Sequence, residues 1–306
     1  MKANGMHHVS AITKEALDNH DFYTKALGLR LVKKTVNQDD SSMYHLFYAD
    51  YKGTPGTDMT FFEIVNSAQY RKGTNGITRT LFRVPSREAL DFFKERFIER
   101  EIYHEGIVER FGKTMMNFED SEKHRMALVV DEAPTDITPN VVEDIPVEFA
   151  IHGIVAVEVT VQHKKPFIGL MELVGGTLLT EDAEEAIVQF GNEFVYVVEA
   201  RHSTVEKGGY GSVHHFALNV ESDEDLEEMR RLVHEERWPN SGIKDRFWFK
   251  ALYISGPGNI IVEISTRGPG FQVDEPLESL GESLVLPPKL EHEREHLEMF
   301  LKPIEN

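Results

Sequence analysis

One order of apolar segments recurs four times along this chain of 306 residues: a strand, a helix, then three more strands. The first copy opens at MHHVSAIT (Met6 to Thr13), continues through the helical pattern EALDNHDFYTKALG and closes with RLVKKTV, MYHLFYAD and DMTFFEIV. Those last three alternate or run apolar with Val, Phe and Tyr, and Gly and Pro separate them, as strands require. The second runs from ITRTLFRV (Ile77 to Val84) through the helix REALDFFKERF to MNFEDSEKHRMALVVDE. The third opens at GIVAVEVTV (Gly153 to Val161), with EDAEEAIVQF as its expected helix. The fourth begins at SVHHFALNV (Ser212 to Val220), passes through the helix DEDLEEMRRLVHEE and ends in DRFWFKALYIS and NIIVEIST. Such self-similarity predicts a fold built by repeating one supersecondary unit. The expectation is an α+β protein of four β-α-β-β-β modules in two tandem domains, 1–136 and 137–306. The acidic, proline-bearing stretch DEAPTDITPNVVEDIPVE (Asp131 to Glu148) reads as the linker. In the tail from Pro287, LEHEREHLEMFL reads as an amphipathic helix with Leu290, Leu297 and Leu301 along one face.

Charge and cysteine content narrow the function classes. Lys and Arg total 33 against 52 Asp and Glu, a formal net charge of −19. A surface that negative repels phosphate backbones and anionic lipid, so neither nucleic acid nor a membrane is an expected partner. With no cysteine, disulfides, thiolate metal sites and a cysteine nucleophile are excluded. The N-terminus MKANGMHHVSAITKEA lacks the apolar run of a secretory leader, and no segment approaches a membrane span, so the expected address is the cytoplasm.

His-His pairs occur at His7-His8 and His214-His215, each opening the first strand of a module. Alternation chooses within each pair. His214, Phe216, Leu218 and Val220 make one face, mostly apolar, leaving His215, Ala217 and Asn219 for a cavity. His8 and Ser10 likewise share a face, opposite His7, Val9 and Ala11. Parity selects His8 and His215, unless a bulge at the strand start disturbs it. Glu263 sits in the otherwise apolar IIVEIST, where an unpaired buried charge costs roughly several kcal/mol. A divalent cation compensates it, and two imidazoles plus one carboxylate form a facial triad that leaves positions open for ligands. Glu63 in TFFEIV aligns by repeat position with Glu263, so a four-ligand set of His8, Glu63, His215 and Glu263 stays open. That set suits zinc or nickel and proton transfer. His45 either faces the cavity or is surface or core, as are His152, His163 and His202. His20, His104, His124, His234, His292 and His296 read as solvated helix or turn residues.

Four such modules, with HHVSAIT followed by FYTKALGLRLVKKTV and a second HHFALNV, resemble the vicinal oxygen chelate superfamily of glyoxalase, bleomycin resistance and extradiol dioxygenase proteins. More narrowly, the chain resembles ring-cleaving dioxygenases of the dichlorohydroquinone dioxygenase type, over nearly its whole length and least in the third module. The resemblance implies Fe(II) at His8, His215 and Glu263, with Mn, Zn or Ni as alternatives, and a hydroquinone-type aromatic substrate with O2. It implies further candidate catalytic groups: His7, His214, Arg246, Tyr253, and Ser10, where relatives have Thr. His214 or His7 is expected to take the phenol proton, and Tyr253 and Arg246 to donate hydrogen bonds. Phe216, Phe247 and Trp248 are candidates for an apolar pocket. Alternatives are a glyoxalase-like lyase or isomerase on the four-ligand set, and a metal-free protein that binds a drug or aromatic ligand. A homodimer through exposed sheet edges is a further expectation.

Overall fold

Polar–apolar alternation and serine caps set the elements of the computed structural model, which describes residues 2–133 and 135–304. The first module contains β1 (Met6–Thr13), α1 (Ala16–Asp21, running into a π-helical turn at Phe22–Ala26), β2 (Arg30–Val36), β3 (Tyr44–Ala49) and β4 (Asp58–Glu63). The second contains β5 (Gly76–Val84), α2 (Arg87–Glu99), β6 (His104–Arg110), β7 (Lys113–Glu119) and β8 (Arg125–Val130). The third contains β9 (Ile154–Val161), α3 (Lys164–Leu173), β10 (Thr177–Glu181), β11 (Glu185–Phe190) and β12 (Glu193–Glu199). The fourth contains β13 (Val213–Val220), α4 (Asp223–Glu235), β14 (Asn240–Asp245), β15 (Lys250–Ser255) and β16 (Ile261–Thr266). The two longest helices start where a serine hydroxyl takes an otherwise orphaned backbone N–H: Ser86 accepts from Ala89, and Ser222 from Asp225.

The third module corrects one expectation. EDAEEAIVQF supplies strand β11, with Ala186, Val188 and Phe190 buried and the intervening residues half-buried, which is a period of two. The helix is instead KKPFIGLMEL, whose Phe167, Ile168, Leu170 and Met171 are buried. High helix propensity in Ala and Glu lost to burial on alternate positions.

Two eight-stranded sheets result, in the orders β14-β15-β16-β13-β1-β4-β3-β2 and β10-β11-β12-β9-β5-β8-β7-β6. The modules pair from the outside inward: first with fourth, second with third. The division of the chain at 136/137 therefore separates module pairs along the sequence, while each sheet draws strands from both sides of it. Most of the segment 131–148 lies against the first module. Thr138 accepts from the Tyr51 backbone N–H and donates its own to the Asp50 carboxylate, while Asp144 reaches the second module through Arg96 and Arg100.

The first sheet is curled into a cup. Its edges are β2 and β14, yet Asp39, just past β2, pairs with Arg246, just past β14, at 2.8 Å. Lys33 of β2 also lies 5.2 Å from the Trp248 ring. A C-terminal arm crosses the cup. Phe271 packs on Phe47, while the fully buried Lys33 ion-pairs with Asp274 and Glu275. Beyond it, the tail helix is shorter than its sequence pattern: a 3-10 turn over Pro288–Glu293, then α5 (Arg294–Glu298). Leu297 and Leu301 are buried and Leu290 is half-buried.

Candidate metal centre

Antiparallel pairing of β1 with β13 brings the two His-His pairs together. The register matches His8 with Ala217 and Ser10 with His215, and it slips once in each strand, at His7 and at His214. Each ligand candidate is thus preceded by a bulged residue, which frees that neighbour from strict alternation. Parallel pairing of β13 with β16 sets Glu263 beside Ala217. All three side chains are buried, Glu263 completely.

The facing atoms form a small triangle. His215 Nε2 lies 2.9 Å and His8 Nε2 3.3 Å from Glu263 Oε2, and the two Nε2 atoms are 3.1 Å apart. An octahedral ion with bonds of about 2.1 Å has edges of about 3.0 Å between neighbouring ligands, against about 3.4 Å for a tetrahedron. The triangle therefore fits one face of an octahedron. These are the one group of three or more potential metal ligands among the described residues. Burial works to raise the Glu263 pKa, and positive charge on the two imidazoles beside it holds the carboxyl well below the usual range, a charge that a bound cation supplies when the rings are bare.

Surrounding hydrogen bonds fix which nitrogens carry protons. His7 Nε2 lies 3.0 Å from the Thr266 carbonyl, which can only accept, so that nitrogen carries the hydrogen. Burial, and next the adjacent His8, push His7 down to about 3, so it is neutral and its Nδ1 is bare. His8 Nδ1, 2.9 Å away, must then donate, leaving the lone pair of His8 Nε2 for the triangle. The second pair makes the same contact, His215 Nδ1 to His214 Nδ1 at 2.7 Å, with no carbonyl to set the tautomer. A metal on His215 Nε2 would require His215 Nδ1–H to donate to His214, leaving the His214 hydrogen on Nε2. His7 turns its nitrogens to Thr266 and His8 and does not line the cavity, whereas His214 does. Glu263 is also oriented: Ser265 Oγ donates to Oε1 at 2.5 Å, leaving Oε2 with no hydrogen-bond partner. Two bare imidazole nitrogens facing a buried carboxylate repel one another unless a cation joins them, so the donor set fits a metal.

Glu63 is not part of this group. The register partner of Ser10 is Thr60, so Thr60 occupies the place in the first module that Glu263 holds in the fourth. Glu63, three residues on and on the other face, accepts the Ala16 backbone N–H at 2.9 Å at the start of α1. Glu63 thus stands three residues beyond the position equivalent to Glu263, not at it. In the second sheet, register places Arg79 and Ala156 where the first has His8 and His215, with Tyr196 and Ala127 at the carboxylate and threonine positions. That concave face is filled, with Phe111 stacked on Tyr196 at 4.1 Å and Arg110 paired with Glu158.

The triangle opens on a cavity of about 310 Å³ lined by His8, His45, His214, His215, Phe47, Phe62, Trp248, Phe249, Arg246 and Tyr253, among others. Of the expected groups, His214, Arg246 and Tyr253 line it. His7 lies behind His8, and Ser10 lies under Thr60, bonded to its hydroxyl at 2.7 Å. Arg246 Nε donates to the Tyr253 oxygen at 3.1 Å while its other nitrogens grip Asp39, and burial keeps Tyr253 protonated. Phe216 is core and Phe247 faces away at a positive φ of 71°, so Trp248 alone of the expected aromatics reaches the cavity. His20 and His124 are buried, not solvated. Sequence reading missed Ser265, Thr60, Asp39 and Phe249. Ser265 carried a signal, since it shares strand parity with Glu263. The others depend on contacts between distant segments.

A family model described as the Glyoxalase/Bleomycin resistance protein/Dioxygenase superfamily matches residues 5–264, and the chain belongs to that family. It is 43% identical over 316 aligned positions, covering 100% of both chains, to "Putative ring-cleaving dioxygenase MhqA" of Bacillus subtilis. It is 28% identical to "Chlorohydroquinone/hydroquinone 1,2-dioxygenase" of Sphingobium indicum, covering 97% of this chain and 95% of that one. A crystal structure from Bacillus subtilis, described as a "putative dioxygenase", superposes with a TM-score of 0.90 at 30% identity, covering 99% and 98% of the two chains.

Proposed function

We propose that this protein is an Fe(II)-dependent ring-cleaving dioxygenase acting on hydroquinone-type rings, with cleavage of the bond beside a hydroxyl-bearing carbon, in the extradiol manner. The observation that carries the reading is the octahedral-face triangle of His8, His215 and Glu263 opening on a small, largely aromatic cavity. Relatives named as ring-cleaving dioxygenases, one of them for hydroquinone, support it. A cavity near 310 Å³ is at the small end for ligand pockets and suits one ring.

Ferrous iron held by these three ligands would supply adjacent open positions for a phenolate oxygen and O2, and a path for electrons between them. The chain's residues do the rest. Phe47, Phe62, Trp248 and Phe249 offer apolar walls that receive a flat ring and exclude water. His214 Nε2–H and the Tyr253 hydroxyl, whose oxygen already accepts from Arg246, are donors beside the open side of the triangle. They suit oxygen atoms on which negative charge develops. The Thr266 carbonyl through His7, and Ser265 on Glu263, hold the ligand set in its metal-binding form.

Loading the protein anaerobically with Fe(II), adding methylhydroquinone or chlorohydroquinone and admitting air tests this. Oxygen uptake in step with ring-opened product is expected; no uptake across hydroquinones and catechols removes the reading.

A further inference from the structure

His45 projects from β3 into the metal cavity, held in a defined pose. Its ring lies between Phe47 and Phe62, at centroid distances of 4.1 and 4.3 Å. Nε2 bonds the Thr60 hydroxyl at 3.0 Å, and Thr60 bonds Ser10 at 2.7 Å. The chain Ser10–Thr60–His45 runs from β1, where Ser10 is the register partner of His215, across β4 to β3. Nδ1 has no protein partner and is not shielded, so it faces the open space. Gln38 also lines the cavity, but its unpartnered Oε1 is covered and out of a ligand's reach. That leaves one hydrogen-bonding position of His45 open to whatever occupies the cavity.

The distance suits the far end of a ring. Phe62 stands between His45 and the ligand triangle, its ring centroid 4.3 Å from His45 and 6.3 Å from His215, so the two imidazole centroids lie no more than 10.6 Å apart. A metal–oxygen bond, a six-membered ring and a hydrogen bond laid end to end span about that. A catechol turns both hydroxyls to the metal. A hydroquinone bound through one oxygen sends its other hydroxyl to the opposite wall, where it needs a partner.

We propose that His45 receives the hydroxyl remote from the metal and so selects rings with two para hydroxyls over rings with one. The assignment rests on the proposed dioxygenase reading and names the substrate feature that this site recognises. Either neutral tautomer of His45 serves, because a hydroxyl both donates and accepts. Phe47 and Phe62 fix the ring, and the Thr60 bond fixes its rotation, so the ordering cost falls before substrate arrives.

The test is a cycle of two ligands and two proteins. Zn(II)-loaded protein, which does no oxygen chemistry, is titrated with hydroquinone and with its near-isostere 4-methylphenol, following fluorescence of the cavity's Trp248 or heat. Wild type is expected to prefer hydroquinone by about tenfold, the scale of one buried hydrogen bond. His45→Phe keeps the aromatic stack and should drop the preference below about threefold, while His45→Asn, with an amide near the Nδ1 position, should restore part of it. Near-identical melting of the variants checks folding. An unchanged preference in His45→Phe, with Fe(II)-loaded wild type consuming oxygen on hydroquinone, overturns the His45 assignment and leaves the dioxygenase reading intact. Binding of neither phenol together with no oxygen uptake removes both.

Discussion

At the scale of single residues, the site is governed by which atom holds each proton and which oxygen is already taken. Ser265 occupies one oxygen of Glu263 and thereby directs the other. Ser265→Ala should keep the fold and weaken metal binding about 10- to 100-fold, the usual result of losing an outer-shell partner; competition against a chelator of known affinity measures it. Glu63 gives the opposite expectation. Glu63→Gln should leave metal stoichiometry and affinity unchanged, at a cost of about 0.5–1 kcal/mol where it caps α1. A large loss of affinity there would revive the four-ligand, glyoxalase-like alternative. His8, His215 and Glu263 were legible because each is an ionisable residue on a strand whose neighbours are apolar. His45 and Thr60 were not, since an isolated His or Thr on a strand looks the same facing a cavity or a neighbouring side chain.

Among elements, the decisive event is that the two edges of one sheet meet. Asp39 follows β2, Arg246 follows β14, and their paired hydrogen bonds at 3.1 and 2.8 Å join the rims of the cup above the metal centre. Asp39 is 70% exposed, so the ion pair contributes at most about 1 kcal/mol to stability. Its effect belongs to orientation: Arg246, gripped at both terminal nitrogens, holds the Tyr253 oxygen with its third. Asp39→Ala should therefore melt within a degree or two of wild type, yet lose about tenfold in kcat/KM for the proposed reaction through misplacement of Arg246 and Tyr253. Unchanged kinetics would reduce the pair to surface decoration. The bulges at His7 and His214 act at this scale too. A straight ladder would point both residues away from the ligands, and the slips let each turn a nitrogen to its neighbour.

For the whole molecule, one sheet carries the candidate metal set and the other has filled its cup with Tyr196, Phe111 and an Arg110–Glu158 ion pair. One metal per chain is expected by elemental analysis; two would mean that register misjudges the second sheet. Binding adds stability by mass action, about 2.7 kcal/mol at 100 Kd, so a chelator should lower Tm by roughly 4 °C. Buried His124 in the second module adds an acid-sensitive term. Burial, then Arg125 and Arg79, press its pKa from 6.5 to about 3, so the unfolded chain binds the extra proton between those values. Stability from this group is complete above pH 6.5 and falls as pH drops toward 3. Urea unfolding at pH 6.5 and 5 should show a loss in wild type that is smaller by roughly 2 kcal/mol in His124→Phe, at about 1.4 kcal/mol per unit. No helix among the described residues is long and apolar enough to cross a membrane.

The amino-acid order alone determined the module, its fourfold repetition and the three candidate ligands, because apolar period, turn residues and a charge in an apolar strand are local signals. Tertiary structure decided which modules share a sheet, that β11 is a strand, that Thr60 and not Glu63 mirrors Glu263, and which imidazole nitrogens are bare. Those outcomes depend on register and on pairing between segments, from the neighbouring β10, β11 and β12 to β1 and β13 some two hundred residues apart, where hydrogen bonding and burial override local preference.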